Sequence, residues 1–205
     1  LIRETLLIAT TNQGKIKEIK SYLTGLPLKI VNLQELSPKA IYEEKGKTFL
    51  ENAQGKSLFY NQQHQILTLA EDSGLEIENL MGAPGVFSSR FSGPEATDEE
   101  NIKKVLKLMK NVPLEKRGAQ FISCLALAQK GRTIKEMSES VKGFITFEKK
   151  GNHGFGYDPV FFYPPLKKTF AELFPEEKNR VSHRGLALKK LKVFLLHYLN
   201  YEKKT

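Results

Sequence analysis

The chain has 205 residues, 40% of them hydrophobic, with 32 Lys and Arg against 23 Asp and Glu for a formal net charge of +9. That size suits one large domain or two lobes sharing a core, a single cysteine excludes an internal disulfide framework, and no apolar run approaches the ~20 residues of a membrane span. The lysine clusters at Lys103-Lys104, Lys149-Lys150, Lys167-Lys168, Lys189-Lys190 and Lys203-Lys204 are scattered, so they read as a solvated basic surface able to attract a triphosphate rather than as a nucleic-acid footprint.

Leu6 to Ala9 reads as a first buried strand, followed by a polar turn from Thr10 to Gly14. Ile16, Ile19 and Leu23 recur at helical spacing and predict a helix from about Gly14 to Leu23. Leu28 to Val31 is a short second strand, and residues 32–47 read as a polar loop. Phe49, Ala53, Lys56 and Tyr60 share one helical face, with Thr48 as N-cap and Glu51 three positions on. Ile66 to Ala70 form a third strand, and Leu75 to Ile77 alternate as a strand should. Met81 to Arg90 reads as a tight connection. Thr97 or Asp98 caps a helix carrying Ile102, Val105, Leu106 and Met109. Phe121 to Ala128 suggests a central strand, with Cys124 as buried filler. Lys135 to Phe147 reads as a curved antiparallel ribbon, Gly151 to Asp158 as a loop, and Val160 to Phe162 as a strand. The last helix is expected from about His183 to Tyr198, with Leu188, Leu191, Phe194 and Leu195 as its buried stripe. The mixture points to an α/β fold. The first residues lack the pattern of a secretory signal, so a cytoplasmic setting is the expectation.

Four constellations carry chemistry. Glu71-Asp72 closes an apolar run just before Ser73-Gly74, and Glu43-Glu44 lies upstream. Neighbours on a strand point to opposite faces. Both carboxylates therefore reach one ligand only if the strand breaks into a turn at Ser73-Gly74, and that break is expected. Oxygen ligands of this kind suit a divalent cation; an acidic surface turn is the alternative. In Thr10-Thr11-Asn12-Gln13-Gly14-Lys15, the hydroxyls, amide and backbone N–H groups suit phosphate oxygens and Lys15 adds charge. It is not a P-loop, because Ile16 stands where that pattern needs a hydroxyl. In Gly154-Phe155-Gly156-Tyr157-Asp158-Pro159, the glycines let the backbone approach a flat ligand and the Phe155 ring is able to stack on a base; a turn around a packed aromatic is the alternative. Ser182-His183-Arg184 precedes the last helix, where Ser182 is a candidate cap and Arg184 is able to read a carbonyl or clamp phosphate. A Ser182-His183 triad is poorly placed for proton transfer, and His64, His153 and His197 form no zinc spacing.

Taken together, these segments resemble the inosine triphosphate pyrophosphatase, or Ham1-like, family. The resemblance rests on Thr10-x-Asn12-x-x-Lys15, Glu44 with Gly46, Thr48-Phe49-x-Glu51-Asn52-Ala53 and Glu71-Asp72-Ser73-Gly74-Leu75. It continues through Ala83-Pro84-Gly85-x-x-Ser88-x-Arg90, Gly154-Phe155-Gly156-Tyr157-Asp158-Pro159-x-Phe161, Glu177-Lys178 and Ser182-His183-Arg184-Gly185-x-Ala187. The resemblance implies a mixed twisted sheet with flanking helices, forming a single domain of two lobes around a deep nucleotide-binding cleft, in a homodimer. It implies magnesium-dependent hydrolysis of ITP, dITP and XTP between the α and β phosphates, giving a monophosphate and pyrophosphate. By that resemblance Asp72 is the general base, and Glu44, Glu71 and Asp72 hold Mg²⁺. Thr10, Asn12, Lys15, Lys56 and Lys178 grip the triphosphate. Phe155, Asp158, Ser182, His183 and Arg184 meet the base, and Ser73, Gly74 and Gly156 shape the backbone near the site. Most bacterial members place Asp-Asp before Ser-Gly, where this chain has Glu71-Asp72; the longer acid keeps the oxygens and alters their reach. The competing readings are a Maf-like nucleotide pyrophosphatase with another base preference and a basic, non-enzymatic nucleotide- or nucleic-acid-binding module. Neither a membrane nor nucleic acid is an expected partner.

Overall fold

The computed structural model describes residues 4–201, so the Lys203-Lys204 pair lies outside the described residues. The strands are β1 (Glu4–Ile8), β2 (Leu28–Asn32), β3 (Leu67–Ile77), β4 (Gly118–Gln129), β5 (Arg132–Ile145), β6 (Phe161–Tyr163) and β7 (Lys168–Thr169). They form one sheet in the order β2-β1-β3-β4-β5-β6-β7. β1 runs parallel to β2 and β3, whereas β6 is antiparallel to β5 and β7. The helices are α1 (Gln13–Leu23), α2 (Leu33–Leu36), α3 (Phe49–His64), α4 (Asp98–Leu108), α5 (Pro175–Val181) and α6 (His183–Tyr201). This is the mixed α/β architecture, a twisted sheet with helices, that the motifs implied. Among the described residues, no helix is long and apolar enough to cross a membrane.

The chain divides into two compact units. Among the described residues, the first comprises 4–72, 123–139 and 184–201; the second comprises 73–122 and 140–183. In the first unit, alternation along the strands sorts side chains between two cores. Leu6 and Ile8 of β1, Leu67 and Leu69 of β3, and Leu125 and Leu127 of β4 pack with Ile16, Ile19 and Leu23 of α1 and Leu188, Leu191 and Leu195 of α6. Leu7, Ala9 and Ala70 pack on the other side with Val31 of β2, Leu33 of α2 and Tyr60 of α3. Each fully buried Leu or Ile contributes about 1.5–3 kcal/mol of transfer free energy, so these stripes hold α1, α6 and α3 against the strands. Phe194 is only partly buried beside this core.

Local chemistry sets the helix starts. Asn12 accepts from the Lys15 N–H at 2.9 Å and caps α1, one residue earlier than the predicted start. Thr48 caps α3 by accepting from Glu51 N–H. Thr97, not Asp98, caps α4 in a reciprocal box with Glu100. Two segments differ from expectation. The loop predicted for 32–47 contains α2, capped by Asn32 and Glu35. Helix α5 was not foreseen; it starts at Pro175 and ends before Ser182, which lies in extended backbone (φ −76°, ψ 156°).

The larger correction concerns β3. The expected break at Ser73-Gly74 is absent, and the strand continues to Ile77. Ser-Gly reads locally as a turn, but sheet pairing overrides that preference.

In the second unit, Phe121, Phe161 and Phe170 form an aromatic cluster, with Phe121 and Phe161 centroids 4.6 Å apart. Buried Arg117 donates to the carbonyls of Met109, Val112, Ile145 and Thr146 at 2.5–3.1 Å. It therefore satisfies carbonyls just beyond the end of α4 as well as those at the end of β5.

Candidate active site

Because β3 is continuous, Glu71 and Asp72 point to opposite faces of it. Glu71 follows Leu69 onto the α1 and α6 side; Asp72 follows Ala70 onto the α3 side. Both are buried. Their partners match this division.

The Glu71 carboxylate accepts from Ser123 Oγ at 3.0 Å and from Arg184 Nε at 3.0 Å, and its second oxygen meets Lys15 Nζ at 2.8 Å. Arg184, at the start of α6, also donates to Glu18 of α1 at 2.5 Å. Burial opposes the charge on Arg184, but Glu71 and Glu18 outweigh it and raise the guanidinium pKa above its ordinary value. Arg184 was expected at the base. Its guanidinium is instead held in the first unit between two carboxylates and is 2% exposed.

On the other face, Asn52 of α3 donates from Nδ2 to Asp72 Oδ2 at 3.0 Å. One helical turn later, Lys56 pairs with Glu44 and points its ammonium toward the Glu71 carbonyl at 3.4 Å. Burial raises the Asp72 pKa. Lys15 lowers it, Glu44 raises it, and Lys56 and the Asn52 hydrogen bond lower it further, with a net upward shift. A carboxylate raised in this way is a stronger base than one in water. Glu43 pairs with Lys45 in an exposed position and takes no part in this group.

Thr10 and Asn12 lie beside Lys15 at the carboxyl end of β1. Both make local contacts: Thr10 Oγ1 accepts from Asn12 N–H at 3.2 Å, and Asn12 caps α1.

The remaining predicted residues belong to the second unit. Lys178 and Asp158 are both buried and form an ion pair at 2.5 Å. The same Asp158 oxygen accepts from Phe155 N–H at 2.9 Å. Gly154 (φ +76°) is required here, since a Cβ would lie 2.0 Å from that oxygen. Lys178 Nζ sits 4.8 Å from the Phe155 ring centroid. Lys178 thus lies against both the Phe155 ring and the Asp158 carboxylate. Gly156 N–H donates to Asp98 at 2.6 Å, and Tyr157 donates to the Ser88 carbonyl at 2.8 Å. His183 stacks on Phe121, with centroids 4.6 Å apart and planes 10° apart. Ser182 is buried beside it in sequence.

Among the described residues, no three His, Cys, Asp or Glu side chains gather into a metal-holding cluster. Glu44 and Asp72 nevertheless share the α3 face, close enough for one charge to raise the pKa of the other. Two hard-oxygen carboxylates are what a magnesium site commonly takes from protein, with phosphate and water completing the shell. The donor chemistry therefore fits the ion. Glu71, the third acid expected at the metal, is turned to the other face toward Ser123, Arg184 and Lys15.

The sequence reading gave no site role to Asn52, Glu18, Ser123 or Asp98, naming Asn52 only within a motif and Asp98 only as a candidate helix cap. Asn52 had a signal: it is a polar residue among the buried positions of α3, one turn before Lys56. The other three have none nearby in the chain.

The Ham1 family model matches residues 6–194. A dITP/XTP pyrophosphatase of Thermoanaerobacter pseudethanolicus is 43% identical over 194 residues, covering 95% of this chain and 98% of the relative. One from Bacillus subtilis is 42% identical over 195 residues, covering 95% and 98%. Among solved structures, the Staphylococcus aureus Ham1 protein matches with a TM-score of 0.85 at 38% identity, covering 95% of this chain and all of that one. A HAM1 protein from Coxiella burnetii gives 0.85 at 40% identity, covering 95% and 99%. With the match running from β1 into α6 and relatives above 40% identity along nearly the whole length, the chain belongs to the Ham1 family.

Proposed function

We propose that this protein hydrolyses dITP, ITP and XTP between the α and β phosphates, releasing pyrophosphate and the nucleoside monophosphate. The observation that carries the reading is Asp72: a buried carboxylate with a raised pKa, hydrogen-bonded to Asn52 and influenced by Lys15, Lys56 and Glu44. The dITP/XTP pyrophosphatases to which the chain is similar support the substrate class.

In this proposal Asp72 takes a proton from the water that attacks the α phosphorus. Lys15 and Lys56 offset the charge on the phosphoryl oxygens. Thr10 and Asn12 lie at the same end of β1 and offer hydroxyl and backbone N–H groups to phosphate. Glu44 and Asp72 would hold magnesium, which when bound neutralises phosphate charge and acidifies water. Glu71 acts through its ion pairs, orienting Lys15 and anchoring Arg184, so Arg184 serves the site through Glu71. Phe155 stacks on the base, with the cation of Lys178 against the ring and Asp158 holding both. Ser182 and His183 complete the base contacts. A directed donor facing the 6-oxo group would reject adenine, whose amino group meets it with another donor. A homodimer in the cytoplasm is part of the same proposal.

A pyrophosphate-release panel with magnesium tests it. The expected result is turnover of dITP, ITP and XTP, with kcat/KM at least about 100-fold above that for dATP, dTTP and UTP. Preference for dTTP or UTP would favour the Maf-like reading. Salt-sensitive oligonucleotide binding without turnover would favour a binding module.

A further inference from the structure

The two acids assigned to magnesium come from unrelated places, a loop and a strand, and one side chain touches the framework of both. Asn52 is fully buried on α3. Its Nδ2 donates to Asp72 Oδ2 at 3.0 Å, and its Oδ1 accepts from Gly46 N–H at 2.8 Å. Gly46 lies two residues beyond Glu44. The loop approaches so closely that a Cβ at position 46 would stand 2.6 Å from Asn52 Oδ1. A second tie follows one turn along α3, where Lys56 pairs with Glu44.

We propose that Asn52 is a positioning residue, whose single amide fastens the Glu44 loop to Asp72 so that α3 presents both acids together. The inference rests on the assignment of Asp72 and Glu44 above. A primary amide supplies what is required on two adjacent atoms, an acceptor oxygen for the Gly46 N–H and a donor nitrogen for the carboxylate. Aspartate keeps the shape and the acceptor but turns a second acceptor toward Asp72. Leucine keeps the approximate volume and loses both hydrogen bonds. Gly46 is the complementary half of the device, because any side chain there pushes the loop off the amide.

The test uses Asn52→Leu, Asn52→Asp and Gly46→Ala, each with two readouts. In kinetics on dITP, Asn52→Leu and Gly46→Ala should lower kcat by about 30- to 100-fold with KM changed by less than about threefold, the scale expected from displacing a reacting group by about 1 Å. The loss should not add to that of Asp72→Asn, because both act on one carboxylate. Asn52→Asp should also lose kcat. The second readout is amide hydrogen exchange at Gly46 in the nucleotide- and metal-free protein. Protection there should fall at least about tenfold in Asn52→Leu and persist in Asn52→Asp, which retains the acceptor. A folded Asn52→Leu with kcat within twofold of the parent, or with full Gly46 protection, overturns the proposal. So does a loss that multiplies with that of Asp72→Asn. If Asp72→Asn itself retains turnover, the reading of Asp72 has failed, and Gly46 protection still decides whether Asn52 ties the loop.

Discussion

Asp72→Asn is expected to lower kcat on dITP by about 10²- to 10⁴-fold, the usual contribution of a general base, while nucleotide affinity changes by less than about threefold. The amide is nearly the same size and still accepts the Asn52 hydrogen bond, so packing at the α3 face is retained. What is lost is the ability to take a proton, together with one of the two carboxylate charges offered to magnesium. The raised pKa of the native carboxylate strengthens it for that purpose. Lys15, Lys56 and Asn52 meanwhile favour its charged form. Burst-free steady-state kinetics combined with calorimetric titration of dITP into the variant separates the two effects. A variant with kcat within threefold of the parent contradicts the assignment.

The second large effect belongs to Arg184. Replacement by Met should reduce stability by about 3–5 kcal/mol, the cost of breaking a buried ion pair on one side. The side chains of Glu71 and Arg184 are 0% and 3% exposed, and Glu18 is 14% exposed. Met fills much of the volume but strips the guanidinium from two carboxylates at once. Arg184→Lys should recover only part of the loss, because one ammonium does not reproduce the directed donors at Nε and Nη that reach Glu71 and Glu18. Urea unfolding measures both. A loss under 1 kcal/mol for Arg184→Met would show that this three-residue tie between α6, β3 and α1 contributes little.

Much of this arrangement was legible from local chemistry. The Leu6–Leu23 strand-turn-helix was readable because Ile16, Ile19 and Leu23 repeat at helical spacing and Asn12 supplies a cap. The start of α3 was readable from Thr48 and Glu51 for the same reason. The continuation of β3 was not, because Ser73-Gly74 favours a turn in isolation and only neighbouring strands hold it extended. That single difference decides which faces Glu71 and Asp72 occupy. Helix α5 leaves no helical signature in the sequence, because its seven residues include Pro175 and several charges but no apolar stripe. The partners of Arg184 lie 113 and 166 positions away in sequence, so no local pattern could pair them. The ion pair of Lys178 with Asp158, 20 positions earlier, was equally out of reach of any local pattern.

Hydrolysis of dITP in oxygen-18 water with magnesium, followed by mass spectrometry of both products, interrogates the attack on the α phosphorus most directly. The label should appear in deoxyinosine monophosphate, with unlabelled pyrophosphate released. Label in pyrophosphate, or release of orthophosphate as the first product, would place the attack at another phosphorus and contradict the role given to Asp72.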